Sequence, residues 1–162
     1  MEKTGHFNIK RRIRQTNAVM GGEMSGHIFI NHDWYGFDDA IFSAVILTKI
    51  ITDLDVSISE LVNKIPSTHS TPELNLDVKD EEKFNMVEKF KSEMEFPNAD
   101  INTIDGVRIS INNSWALMRA SNTSPKLVLR FEGDTEDNLN QIKNLFENNF
   151  LKIFPDIKLD YH

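Results

Sequence analysis

The chain has 162 residues, 40% hydrophobic and 27% charged, with a net charge of −7 and no cysteine. That profile fits one compact domain or two small ones. It excludes disulfides and thiolate chemistry, and the acidic balance argues against a nucleic-acid partner, which needs a basic surface.

No apolar run reaches membrane-spanning length, and MEKTGHFNIKRRIR lacks the apolar stretch of a secretory signal, so no membrane partner and a cytoplasmic location are expected. The basic residues gather at Lys10, Arg11, Arg12 and Arg14, and again at Arg119, Lys126 and Arg130. Such spots suit a small anionic ligand or a solvated face.

In chain order, residues 7–15 carry a short helical pattern, and 17–20 read as a strand entering the glycine-rich stretch GGEMSG. A second strand spans 27–30, and NHDWYGFDD is a loop. Asp38 or Asp39 can cap an amphipathic helix over 39–52, with Ile41, Val45, Thr48 and Ile51 at helical spacing. Ser57 with Glu60 is a capping-box pattern for a short helix that ends before Pro66. PSTHSTP, residues 66–72, reads as a linker and places a domain boundary, giving units 1–66 and 67–162.

Beyond it, 73–78 alternates as a strand, and Asp80 is expected to cap a helix carrying Phe84, Val87, Phe90 and Met94. Strands follow at 101–104 and 107–111 around the hairpin signal Asp105-Gly106, then at 115–118 and 126–131 around RASNTSP. Thr135 caps a last helix whose core face is Leu139, Ile142, Phe146, Phe150 and Ile153. The expected class is α+β, a four-stranded antiparallel sheet with helices on one face. The first 66 residues look like the tail of an incomplete α/β domain.

Two loops carry the chemistry. In RASNTSP, Arg119 offers a planar fork for a phosphate, Ser121 and Thr123 offer hydroxyls, and Asn122 offers an amide. Asn122 also tolerates left-handed backbone, which would turn successive amides inward as an anion nest. In GGEMSGH, the Glu23 carboxylate can accept from two neighbouring sugar hydroxyls. Ser25 and His27 share its side if the stretch is extended. A hydrogen-bonded turn and a polar hairpin end account for the same residues.

GGEMSGH, HDWYGFDD, DGVRI and RASNTSPKLVLRFEGDTEDN, in that order, resemble the α-D-phosphohexomutases, nearest to the bacterial phosphomannomutase/phosphoglucomutase group. The resemblance implies a TATA-binding-protein-like fold for 67–162 and the end of the family's third domain for 1–66. It implies that Glu23, Ser25 and His27 contact sugar hydroxyls and that Arg119, Ser121, Asn122 and Thr123 hold the non-reacting phosphate. His6, in KTGH, would be an assisting catalytic group. Met24 favours mannose and glucose phosphates. The family reaction moves a phosphoryl group between O1 and O6 through a phosphoserine and a bisphosphorylated intermediate. It needs Mg²⁺ and hexose 1,6-bisphosphate as activator.

The phosphoserine loop and the Mg²⁺ cluster have no counterpart in this sequence. The expectation is a chain that is inactive alone. It would be a piece of such a mutase, half of a split enzyme with an N-terminal polypeptide as partner, or a non-catalytic sugar-phosphate-binding module. Hexose phosphates are the expected ligands in each case.

Overall fold

The computed structural model describes residues 1–161, in two compact units, Met1–Pro66 and a second from Ser67 onward. In the first, helix α1 (His6–Thr16) precedes a short hairpin of β1 (Met20–Gly22) and β2 (Ile28–Ile30), with Gly21 opposite Phe29. Phe29 and Ile13 are its buried apolar side chains. A Cβ on Gly21 would lie 2.9 Å from both Ile9 and Ile13 side-chain atoms, so this glycine lets α1 close onto the hairpin. Helix α2 (Ala40–Leu54) and the short α3 (Ile58–Val62) complete the unit, and the Ser57–Glu60 capping box forms as its spacing suggests.

Helix α2 departs from the amphipathic expectation. None of its residues is buried, and Ile41, Val45, Leu47, Ile50 and Leu54 are exposed, Ile41 at 81%. A helix this apolar is normally covered.

The second unit contains β3 (His69–Ser70), β4 (Leu74–Asp77), α4 (Lys83–Glu93), β5 (Asp100–Asn102), β6 (Val107–Ile111), β7 (Ser114–Ala120), β8 (Lys126–Gly133) and α5 (Glu136–Ile153). They form an antiparallel sheet ordered β8-β7-β6-β5, with β3 and β4 both on the outer side of β8. The sheet has six strands and not the expected four: the five segments read as strands above all join it, and PSTHSTP adds β3.

The register explains the break between β3 and β4. Ser70 opposes Glu132 and Leu74 opposes Leu129, so Thr71, Pro72 and Glu73 face only Arg130 and Phe131. This is a bulge of one residue. Pro72 has no N–H to give. Thr71 compensates: its N–H donates to the Phe131 carbonyl (3.0 Å), and its Oγ1 accepts from the Phe131 N–H (3.2 Å).

Alternation along β7 and β8 puts Ala116, Met118, Leu127, Leu129 and Phe131 in the core with Phe90 of α4 and Ile142, Phe146 and Phe150 of α5. The Phe146 ring sits 5.0 Å from Phe90 and 5.3 Å from Phe131, centroid to centroid. Thr135 caps α5 by accepting from the Asn138 N–H (3.1 Å). Asp80 does not cap α4. That helix starts at Lys83 after Glu82, which makes no side-chain cap, and Asp80 instead accepts from Lys83 Nζ (2.7 Å).

The hairpin between β5 and β6 turns through Gly106 at φ +71°, and a Cβ there would lie 2.2 Å from the Met118 carbonyl and 2.7 Å from Arg119 Cα. Alanine faces both a left-handed penalty of about 1–2 kcal/mol and a backbone clash with β7. Gly106→Ala is expected to lower the denaturant midpoint of the second unit by clearly more than that penalty. An unchanged midpoint would show that β7 yields freely.

Candidate functional site

Glu23, Ser25 and His27, expected to contact a sugar, occupy the end of the β1–β2 hairpin. The Glu23 N–H donates to the His27 carbonyl (2.9 Å) and the Gly26 N–H to the Glu23 carbonyl (3.0 Å). The loop is therefore a tight turn and not the extended stretch that would align Glu23, Ser25 and His27. Ser25 and Met24 are exposed on that turn. Glu23 and His27 still converge, by a different route. Glu23 Oε1 accepts from the Gly5 N–H (2.6 Å) at the start of α1, where a carboxylate also meets the positive helix end. His6 is the first residue of α1, and its ring packs edge-on to His27 (4.6 Å) and Phe29 (5.2 Å).

Asp38 completes the group. Its Oδ2 lies 2.7 Å from His27 Nδ1, and its Oδ1 accepts from the Ile28 N–H (3.1 Å). His6 Nε2 stands 3.7 Å from the same Oδ2. Helix capping does not explain Asp38: Asp39 is the cap of α2, accepting from the Phe42 N–H (2.8 Å) and also from Trp34 Nε1 (3.2 Å). The sequence hint was the pair itself, since one helix start needs one cap. The His27 hydrogen bond holds the Asp38 carboxyl below the ordinary aspartate range, helped by the Ile28 amide and the His27 and His6 charges, while desolvation opposes it. The bonded Nδ1 leaves His27 Nε2 to face a ligand.

In the second loop, Arg119 belongs to β7 and not to the connection. Its guanidinium is 3.9 Å from Glu73, and its side chain is mostly buried. Ser121 is buried, and its Oγ accepts from the N–H groups of Thr123 (3.3 Å) and Ser124 (3.1 Å). Asn122 is absent from the left-handed residues, so the anion nest does not form. The serine hydroxyl organises the turn instead and takes the amides a nest would have offered. The groups left for an anion are the side chains of Arg119, Asn122 and Thr123, the last two exposed at the tip.

Lys83 is a residue that the sequence reading missed. Almost fully buried at the start of α4, it donates to the Ser124 carbonyl (3.1 Å) and to Asp80 (2.7 Å). It ties the loop between β7 and β8 to the helix. A buried lysine beside an apolar helix face gives no such signal in sequence.

The Asp38–His27 bond predicts a titration. Because the folded carboxyl is lowered, its stabilising contribution is complete above the unfolded aspartate value and fades as pH falls through the lowered folded value. Side-chain carboxyl NMR should find Asp38 titrating below ordinary aspartates, and His27→Ala should move it upward. No movement in that variant would mean that His27 is not the main cause.

Residues 1–69 match the family "Phosphoglucomutase/phosphomannomutase, alpha/beta/alpha domain III", and 73–148 match "Phosphoglucomutase/phosphomannomutase, C-terminal domain". The chain is 45% identical to a phosphomannomutase/phosphoglucomutase of Pseudomonas putida over 99% of its own length and 35% of that protein's. It is 43% identical to a phosphoglucomutase of Neisseria meningitidis, over 91% of this chain and 32% of that one. The crystal structure of a phosphoglucomutase/phosphomannomutase family protein from Burkholderia thailandensis superposes with a TM-score of 0.88 at 37% identity, over 98% of this chain and 33% of that one. The chain thus spans about a third of the relatives it matches. With successive matches to two of the family's domains and this level of identity, the chain belongs to the phosphoglucomutase/phosphomannomutase family and corresponds to its third- and fourth-domain region.

Proposed function

We propose that this chain is the substrate-holding C-terminal portion of a phosphomannomutase/phosphoglucomutase, which interconverts hexose 1-phosphate and 6-phosphate through a phosphoserine and a bisphosphorylated intermediate. The observation that carries the reading is one chain holding two separately braced loops of complementary chemistry. One presents Glu23 with two imidazoles. The other presents Arg119, Asn122 and Thr123 around a buried serine. The first suits hydroxyls, with Ser25 beside it; the second suits a phosphate, with Ser121 shaping the turn.

In this reading the loops contribute position and orientation, not bond making. The His6 and His27 imidazoles pack against each other in the same cluster as Glu23, which supports an assisting, proton-exchanging role for His6. Among the described residues, Asp38 is committed to His27 and Ile28, Asp39 to Phe42 and Trp34, and the grouping of His6, Glu23 and His27 is rich in imidazole, a poor match for a hard cation such as Mg²⁺. The phosphoserine and Mg²⁺ ligands belong to the remainder of the enzyme, and the 162 residues do not catalyse by themselves. The relatives' names cover both mannose and glucose phosphates, so the sugar is assigned only as a hexose phosphate.

The exposed apolar face of α2 supports completion by further polypeptide of the same enzyme. Adding a family N-terminal fragment should restore mutase activity, and Ile41→Glu should abolish that rescue while changing this chain's own stability by no more than about 0.5 kcal/mol, the usual range for an exposed site. Binding without rescue would instead make the chain a sugar-phosphate-binding module.

The binding roles are tested by amide-shift titration with mannose 6-phosphate and with inorganic phosphate. Arg119→Ala should weaken both by about 1–3 kcal/mol, the value of charged hydrogen bonds. Glu23→Gln should weaken the sugar phosphate and spare inorganic phosphate. Equal losses for both ligands in Glu23→Gln would remove the sugar role.

A further inference from the structure

The hairpin cluster has a second chemical capacity. One ligand atom from each of His6, Glu23 and His27 lies within 4.8 Å of the others, the one such grouping among the described residues. Ligands of a tetrahedral zinc, at about 2.0–2.2 Å from the metal, stand about 3.4 Å apart. Closing on a metal therefore needs side-chain shifts of little more than about an ångström. Two imidazoles and one carboxylate are donors that borderline transition metals prefer and magnesium does not. Three protein ligands leave a fourth position open.

The surroundings also match what a metal histidine requires. His27 Nδ1 is bonded to Asp38 (2.7 Å), which fixes the ring and frees Nε2, and Asp38 is itself anchored by the Ile28 N–H. A carboxylate behind the histidine is the usual outer partner of a zinc ligand. Glu23 is likewise held, by the Gly5 N–H, with one oxygen to spare.

We propose that His6, Glu23 and His27 bind a zinc-class dication, with Asp38 as the positioning residue behind His27. Because these are the side chains assigned above to sugar hydroxyls, the metal and the sugar compete. The metal site itself rests on geometry alone; the competition rests on the proposed function.

The test is calorimetry of the whole chain with ZnCl₂, with MgCl₂ as comparison and circular dichroism to confirm folding of each variant. A saturable one-to-one isotherm is expected for zinc and none for magnesium. His6→Ala and Glu23→Gln should each weaken zinc at least about tenfold, and Asp38→Asn about tenfold, the scale of losing an outer partner. His32→Ala, whose imidazole pairs with the neighbouring Asp33 outside this cluster, should leave the isotherm unchanged. Absence of saturable binding, or binding that survives both His6→Ala and Glu23→Gln, overturns the site. Mannose 6-phosphate should raise the apparent zinc dissociation constant. Zinc binding indifferent to mannose 6-phosphate upholds the metal site and counts against the sugar role of Glu23.

Discussion

Asp38 accepts two hydrogen bonds, and the first loop depends on both. The bond from Ile28 pins the carboxylate to β2, and the bond to His27 sets that ring. With His27 set, His6 has a ring to pack against, and Glu23 is drawn to the amide at the start of α1. A turn of glycines and polar groups would otherwise have many conformations, each with its own entropy cost to freeze. Here the freezing is done by side chains from outside the turn. In the second loop Ser121 from within and Lys83 from a helix far away in sequence hold the backbone, which leaves Asn122 and Thr123 exposed at the tip near the mostly buried Arg119.

The two units contrast in how they bury apolar surface. The second has a continuous core of phenylalanines, aliphatics and methionines between sheet and helices. The first buries little beyond Phe29 and Ile13 while α2 displays Ile41, Val45 and Leu54. Burial of such side chains stabilises by roughly 1.5–3 kcal/mol each, so the uncovered helix marks where stability is still to be gained by association. The family's alpha/beta/alpha domain model matches this unit, whose sheet among the described residues is a two-stranded hairpin.

Much of the fold could be read directly. Thr135 and Ser57 act locally, through bonds to residues three positions away, and Gly106 through its own left-handed backbone, and their effects were visible in spacing. The periodicity of 139–153 gave the core face of α5. The misses share one cause. Asp38, Lys83 and Thr71 act on partners 10 to 60 residues distant, and short polar side chains look alike whether they cap a helix or brace a loop. Asp80 shows the same ambiguity in reverse, a plausible cap that serves a lysine instead. The candidate site residues were named through the family resemblance. Their geometry, a turn in place of an extended stretch and a serine-centred loop in place of a nest, was not legible because it is decided by those distant braces.

The bulge at Pro72 has a consequence for behaviour in solution. The outer side of β8 is covered by a strand that slips register and lacks an amide at one position, and the opposite side of the sheet ends in the three-residue β5. Neither border offers a long, regular row of free backbone groups on which another chain could add. A sheet bordered in this way is guarded against edge-to-edge growth.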